Sequence, residues 1–199
     1  MSDDATPAKA SETPASNAPA ANAAARQLLA DAGHPGGAGL PPIEILYHNS
    51  EILRIVSEAI QQMWSRDLGV KVSLANQEKK TVFANRRAGD YQVLLGSWTA
   101  DYLDATTYLD MWRSDSGNNH TGWSDPAYDA LSNRANTIAD RTERAAVLQQ
   151  AETLLLDAAP IVPIYFNTHV YLLHPAVKGW QPTPMDHTDY RYVSLQPSG

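Results

Sequence analysis

Cysteine is absent from all 199 residues, which excludes disulfides, thiolate-bound zinc and a thiol nucleophile. No apolar run approaches the roughly 18 residues of a membrane span. The opening residues 1–10 are polar and acidic where a secretory leader needs a basic segment and an apolar stretch, so the chain as written shows no export signal. Basic residues are also few: 15 Lys and Arg against 22 Asp and Glu give a formal charge of −7. That balance argues against nucleic acid, which needs clustered cations to neutralise phosphates. Catalytic signatures are missing as well. There is no Gly-x-Ser-x-Gly, no His-Glu-x-x-His and no Walker sequence, and no internal repeat is evident.

What remains is an ordinary globular composition, 43% hydrophobic and 19% charged, long enough for a sizeable core. Residues 1–21 are mostly Ala, Pro, Ser, Thr and Asp, with no aromatic and little to bury. A disordered tail is expected there. Order is expected from Asn22, as the cap of a helix running to Ala32 and ended by Gly33. His34–Pro42 reads as a connecting loop rather than a phosphate cradle, because a strand follows it and no Gly-Lys-Ser/Thr is present.

Ile43–His48, Val70–Leu74 and Tyr91–Ser97 read as strands. Between them lie a helix capped by Ser50, with Ile52, Ile55, Val56, Ala59, Ile60, Met63 and Trp64 as its apolar face, and another over about 79–87. Alternating strands and helices with short links imply a parallel-rich sheet flanked by helices, an α/β class. Beyond Asp101 helices dominate. Asp125-Pro126 starts one over 127–138, and Asp140 with Glu143 starts another whose inward positions are Val147, Leu148, Ala151, Leu154 and Leu155. Pro160 ends it, and 161–166 and 169–173 read as strands, the first confined by Pro163 to an edge or bend. Asp186, His187 and Asp189 could hold a weak metal, but such a cluster in a polar loop is more often a solvated turn.

Two segments carry most of the functional information. Gly89–Asp101 is an apolar strand that ends in Trp98 and then an acid, and open α/β sheets place ligand sites beyond the carboxyl ends of their strands. From the residues alone, an acid in the place of Asp101 more often just caps the next turn. Trp98 suits either a ligand wall or core filling, and Arg86 beside Arg87 suits plain helix-surface charge. The second segment, Ser114–Pro126, contains Gly117-Asn118-Asn119-His120-Thr121-Gly122-Trp123, whose residues also satisfy ordinary turn chemistry.

Both segments, together with Ala159–Tyr165, resemble the C-terminal lobe of periplasmic oligopeptide-binding proteins, the receptors that feed peptide ABC transporters. The likeness extends from about Ala25 to Val193. It implies one lobe of a type II periplasmic binding fold over residues 22–179, with 180–199 crossing back toward a first lobe that this chain does not carry. It further implies that Asp101 accepts a peptide's α-ammonium group and that main-chain groups of Ser97 and Thr99 pair with the peptide backbone. Trp98 then lines the wall, and Arg86 helps to hold the ligand's far end. Leu95 and Lys79 stand where better-studied members carry Arg and Trp, so ligand length does not transfer.

The resemblance implies a periplasmic location, short peptides as ligands bound weakly by one lobe, a transporter permease as partner, no cofactor and no enzymatic activity. A truncated or repurposed lobe serving as a protein-interaction module is the alternative.

Overall fold

The computed structural model describes residues 18–168, 170–183, 185 and 187–196. The chain divides into two compact units, Met1–Gly96 and Ser97–Gly199, a division that falls inside the expected 22–179 lobe.

In the first unit, helix α1 spans Ala18–Asp31, so it begins one turn before the cap expected at Asn22. The final four residues of the expected 1–21 tail are therefore helical, while residues 1–17 lie outside the described ones. Alanines at 18, 20 and 21 are strong helix formers, so nothing stops the helix at Asn22. Gly33, at φ 87°, ends α1 in a Schellman arrangement, with Gly33 N–H donating to Ala30 O and His34 N–H to Leu29 O.

Strand β1 is Ile43–His48, as its pattern predicts. Its burial does not alternate: Ile45, Leu46 and Tyr47 are all buried, because a central parallel strand is covered on both faces. Helix α2, Glu51–Met63, opens on Ser50 Oγ, which accepts from Leu53 N–H. It continues into a wider π turn, Trp64–Leu68, that ends at Gly69. Strand β2 is Val72–Gln77, α3 is Lys79–Ala88, and β3 pairs only over Val93–Leu94. The sheet order is β2-β1-β3, all parallel. The first crossover steps one way from β1 and the second returns across it. Right-handed connections then put α2 and α3 on opposite faces, and β1 becomes the switch strand.

Three sequence expectations shift here, the first being the strand expected over Tyr91–Ser97, which forms only over Val93–Leu94. The second strand starts at Val72 rather than Val70 and ends at Gln77 rather than Leu74, because Ala75–Gln77 continue the ladder with Leu46–His48. The apolar face of α2 is rotated: Ile52, Ile55 and Met63 are exposed, whereas Ser57 is fully buried. A small side chain at that point lets the helix backbone approach the sheet, although the Ser57 hydroxyl finds no partner among the described residues.

The second unit is helical. Short α4, Thr106–Leu109, runs into a 3-10 turn, Asp110–Trp112. Helices α5, Pro126–Ala135, and α6, Arg141–Ala158, pack as a pair around Tyr128, Ala151 and Leu155, with Ala135, Val147 and Leu148 alongside. Their caps are the predicted ones: Asp125 accepts from Ala127 and Tyr128 N–H, and Asp140 from Glu143 N–H. Tyr128 is wholly buried, and its hydroxyl donates to Leu109 O at 2.6 Å, so α5 also holds α4.

Beyond Ala159 the sequence and the structure part. The strand expected over 161–166 is not formed, nor is one formed over residues 170–173 of the second; His169 lies outside the described residues. A strand needs a paired neighbour for its backbone, and these residues have none among those described. A two-residue antiparallel ladder pairs β4, Val177–Lys178, with β5, Ser194–Leu195.

One close contact in the first unit gives a direct test. Gly69 has φ 70°, and a Cβ there would collide with Gly36 O. Gly69→Ala should lower unfolding stability by at least about 2 kcal/mol, from left-handed backbone strain plus the collision. Urea unfolding of the two chains would measure it.

Candidate functional site

The chain leaves β3 with Leu95 N–H still donating to Leu46 O at 2.9 Å, at the carboxyl end of the sheet and next to its switch strand. Gly96 ends the first unit. The second opens with Ser97, Trp98, Thr99, Ala100 and Asp101, none of them in a helix or strand. Main-chain N–H and C=O groups of residues 97–100 form no backbone hydrogen bond among the described residues. Ser97, Thr99 and Asp101 are exposed. Trp98 is half-buried, and its indole N–H is buried without a partner among the described residues. Four of the five candidate residues therefore lie on one short segment with unspent hydrogen-bonding capacity.

The fifth, Arg86, belongs to the first unit. It sits on α3 with its guanidinium 5.1 Å from the centre of the Phe83 ring, and its Nε–H is buried without a partner among the described residues. Lys79 Nζ lies over the same ring, 5.6 Å from its centre. Both are cation–π contacts that extend each cation along the helix face.

At Asp101 the segment changes character. Its N–H donates to Thr107 Oγ at 2.9 Å, while its carboxylate takes no hydrogen bond or ion pair from the described residues. The backbone is held and the charge is left open. Residues 102–107 form the loop that does the holding. Asp104 Oδ1 accepts from Thr106 N–H and Oγ–H, at 3.0 and 2.8 Å, and both carboxylate oxygens accept from the Arg144 guanidinium at 2.8 Å. This two-pronged contact with Arg144, and then the Thr106 amide, hold the Asp104 carboxyl well below the usual carboxylate range. Sequence reasoning missed Asp104 and Arg144. Forty residues apart, they leave no local pattern, although an acid two residues before Thr106 is a legible turn signal.

The loop Gly117–Trp123 is held from within by Asn119. Its amide nitrogen donates to the carbonyls of Trp112, Arg113 and Trp123, and its oxygen accepts from Thr121 N–H and Oγ–H. Trp123 then packs edge-on to Tyr128, ring centres 5.1 Å apart. Asn119 thus shapes the turn rather than offering its amide to a ligand. Among the described residues no group of three His, Asp or Glu could hold a metal ion, and Asp186 of the cluster considered above lies outside them. No helix of the described residues is long and apolar enough to cross a membrane.

The model of the bacterial extracellular solute-binding proteins, family 5, matches residues 2–120, more than half of the chain. The chain belongs to this family. Among its family 5 relatives, the periplasmic oligopeptide-binding protein OppA of Salmonella typhimurium is 36% identical over 169 residues, covering 85% of this chain and 31% of that protein. The probable deoxycholate-binding periplasmic protein YgiS of Escherichia coli is 38% identical over 156 residues, covering 78% of this chain and 29% of that protein. The structure of the Escherichia coli murein tripeptide-binding protein MppA superposes with a TM-score of 0.80 at 35% identity, over 87% of this chain and 34% of that one. The chain thus spans about a third of the length of these family 5 proteins. Their α/β architecture is the one predicted here, and the family is one of solute-binding proteins rather than enzymes.

The Asp104–Arg144 pair generates a pH test. Its carboxyl titrates lower in the folded chain than in the unfolded one. The stability it contributes is therefore complete above the unfolded value, roughly pH 4, and is lost as the pH falls toward the depressed folded value. Asp104→Asn should show a melting-temperature deficit that is constant from about pH 5 to 8 and narrows below about pH 4. Thermal scans across that range would measure it.

Proposed function

We propose that this chain is the part of a periplasmic peptide receptor that meets the amino end of a short peptide, for delivery to an ABC transporter permease. One observation carries the reading. A run of main-chain groups at 97–100, with no backbone hydrogen bond among the described residues, ends in an exposed carboxylate at Asp101 whose backbone is fixed. An extended peptide can pair with such a run as an added strand, which ignores its side chains, while the carboxylate selects the ammonium group. Trp98 supplies an apolar flank. The names of the relatives support peptides as the ligand class. Deoxycholate, named for one relative, is itself an anion and would meet Asp101 with like charge. Catalysis has no part in this reading. In it, residues 22–179 correspond to one lobe of the receptor and 180–199 to a segment leading toward the other.

Affinity follows from how much of the ligand is covered. With a single wall the ion pair stays near water and adds only ~0–1 kcal/mol, while the entropy of immobilising the peptide is undiminished. The 199-residue chain by itself should bind trialanine with a constant of about millimolar, or about 4 kcal/mol. Asp101→Asn should weaken free trialanine by about three- to five-fold and leave N-acetyl-trialanine nearly unchanged. Titrations followed by NMR would measure both. Equal losses for the two ligands would show that Asp101 does not read the ammonium group.

A further inference from the structure

We propose that Thr107 is the positioning residue for Asp101, held in place by an anchor that runs through Asp104 and Arg144. The proposal rests on the ammonium reading and extends it to residues remote from the ligand. Its basis is a chain of contacts inside one compact unit. Arg144 projects from α6 and donates Nε–H to Ala135 O, the last residue of α5, at 3.1 Å. Its other nitrogens grip both oxygens of Asp104 at 2.8 Å. Asp104 in turn fixes the amide and hydroxyl of Thr106, the first residue of α4. The next residue, Thr107, accepts the Asp101 N–H. The Tyr102 hydroxyl meets Thr106 Oγ at 3.2 Å and closes the loop further.

Burial separates the anchor from the reader. Thr106 and Thr107 are each 5% exposed, whereas Asp101 is exposed. A hydroxyl buried in the scaffold thus holds the backbone of a residue that is itself exposed. Fixing that N–H fixes the direction in which the side chain leaves the backbone. Recognition of a charged group by one carboxylate is sensitive to displacements of about half an ångström. The Thr107 hydroxyl should therefore control selectivity for free over blocked peptides rather than affinity for peptides in general.

The test uses the full chain and two readouts. The first is hydrogen exchange at the Asp101 amide without ligand. The second is the ratio of affinities for trialanine and N-acetyl-trialanine. Thr107→Val keeps the shape and removes the acceptor, and Thr107→Ser keeps the acceptor. Thr107→Val should speed exchange at Asp101 at least ten-fold and bring the affinity ratio close to one. Thr107→Ser should restore both, with melting temperatures of the two variants within a few degrees of each other. Arg144→Lys, which keeps the charge and loses the two-pronged grip, should lower the ratio part-way; it carries the comparison if Thr107→Val does not fold. An unchanged ratio in Thr107→Val, or in Arg144→Lys where that variant stands in, overturns the proposal and leaves the ammonium reading intact. A ratio of one in the unaltered chain overturns the ammonium reading and this proposal with it.

Discussion

Strand β1 is the element on which the first unit depends. β2 and β3 each pair with β1 and with no other strand among the described residues. α2 and α3 both pack against it as well. Three successive buried side chains, Ile45, Leu46 and Tyr47, fill the space on its two faces. Full burial of such residues is worth roughly 1.5–3 kcal/mol each, so a polar group at any of the three would cost much of a domain's marginal stability. The same central position makes β1 the switch strand. The first unit ends just after β3, with Leu95 and Gly96 at the carboxyl end of the sheet, the end at which open α/β sheets leave room for ligands.

Legibility in the sequence followed how local the controlling physics was. Ser50, Asp125 and Asp140 were readable as helix caps because a cap acts within three residues, and each accepts the amide expected of it. The rotation of α2 was not readable. Its apolar residues cover so wide an arc that spacing alone permits several faces, and the choice fell to the small Ser57. The extent of β2 was hidden for a different reason. Ala75, Asn76 and Gln77 look like a turn by composition, but parallel pairing is a backbone transaction and β1 continues opposite them.

The site shows the same divide. Trp98 and Asp101 stood out because a strand that stops at a Trp and an acid is visible along the chain, and Ser97 and Thr99 were added only by the family resemblance. Arg144 did not, because its meaning lies in a partner forty residues away. Residues 161–173 show the converse. Their apolar pattern reads as strands, yet Phe166 is 96% and Leu172 101% exposed, with no ladder beside them. A hydrophobic pattern records what a segment is suited to bury against, and the described residues offer these side chains no such surface.

Asn119 carries a consequence of another kind. One side-chain amide meets three carbonyl oxygens through its nitrogen and two donors through its oxygen. Hydrolysis of that amide to a carboxylate would set a negative oxygen against three carbonyls and undo the loop from its centre. Loss of one ammonia molecule at this position would thus disturb the Trp123–Tyr128 contact and the packing behind it.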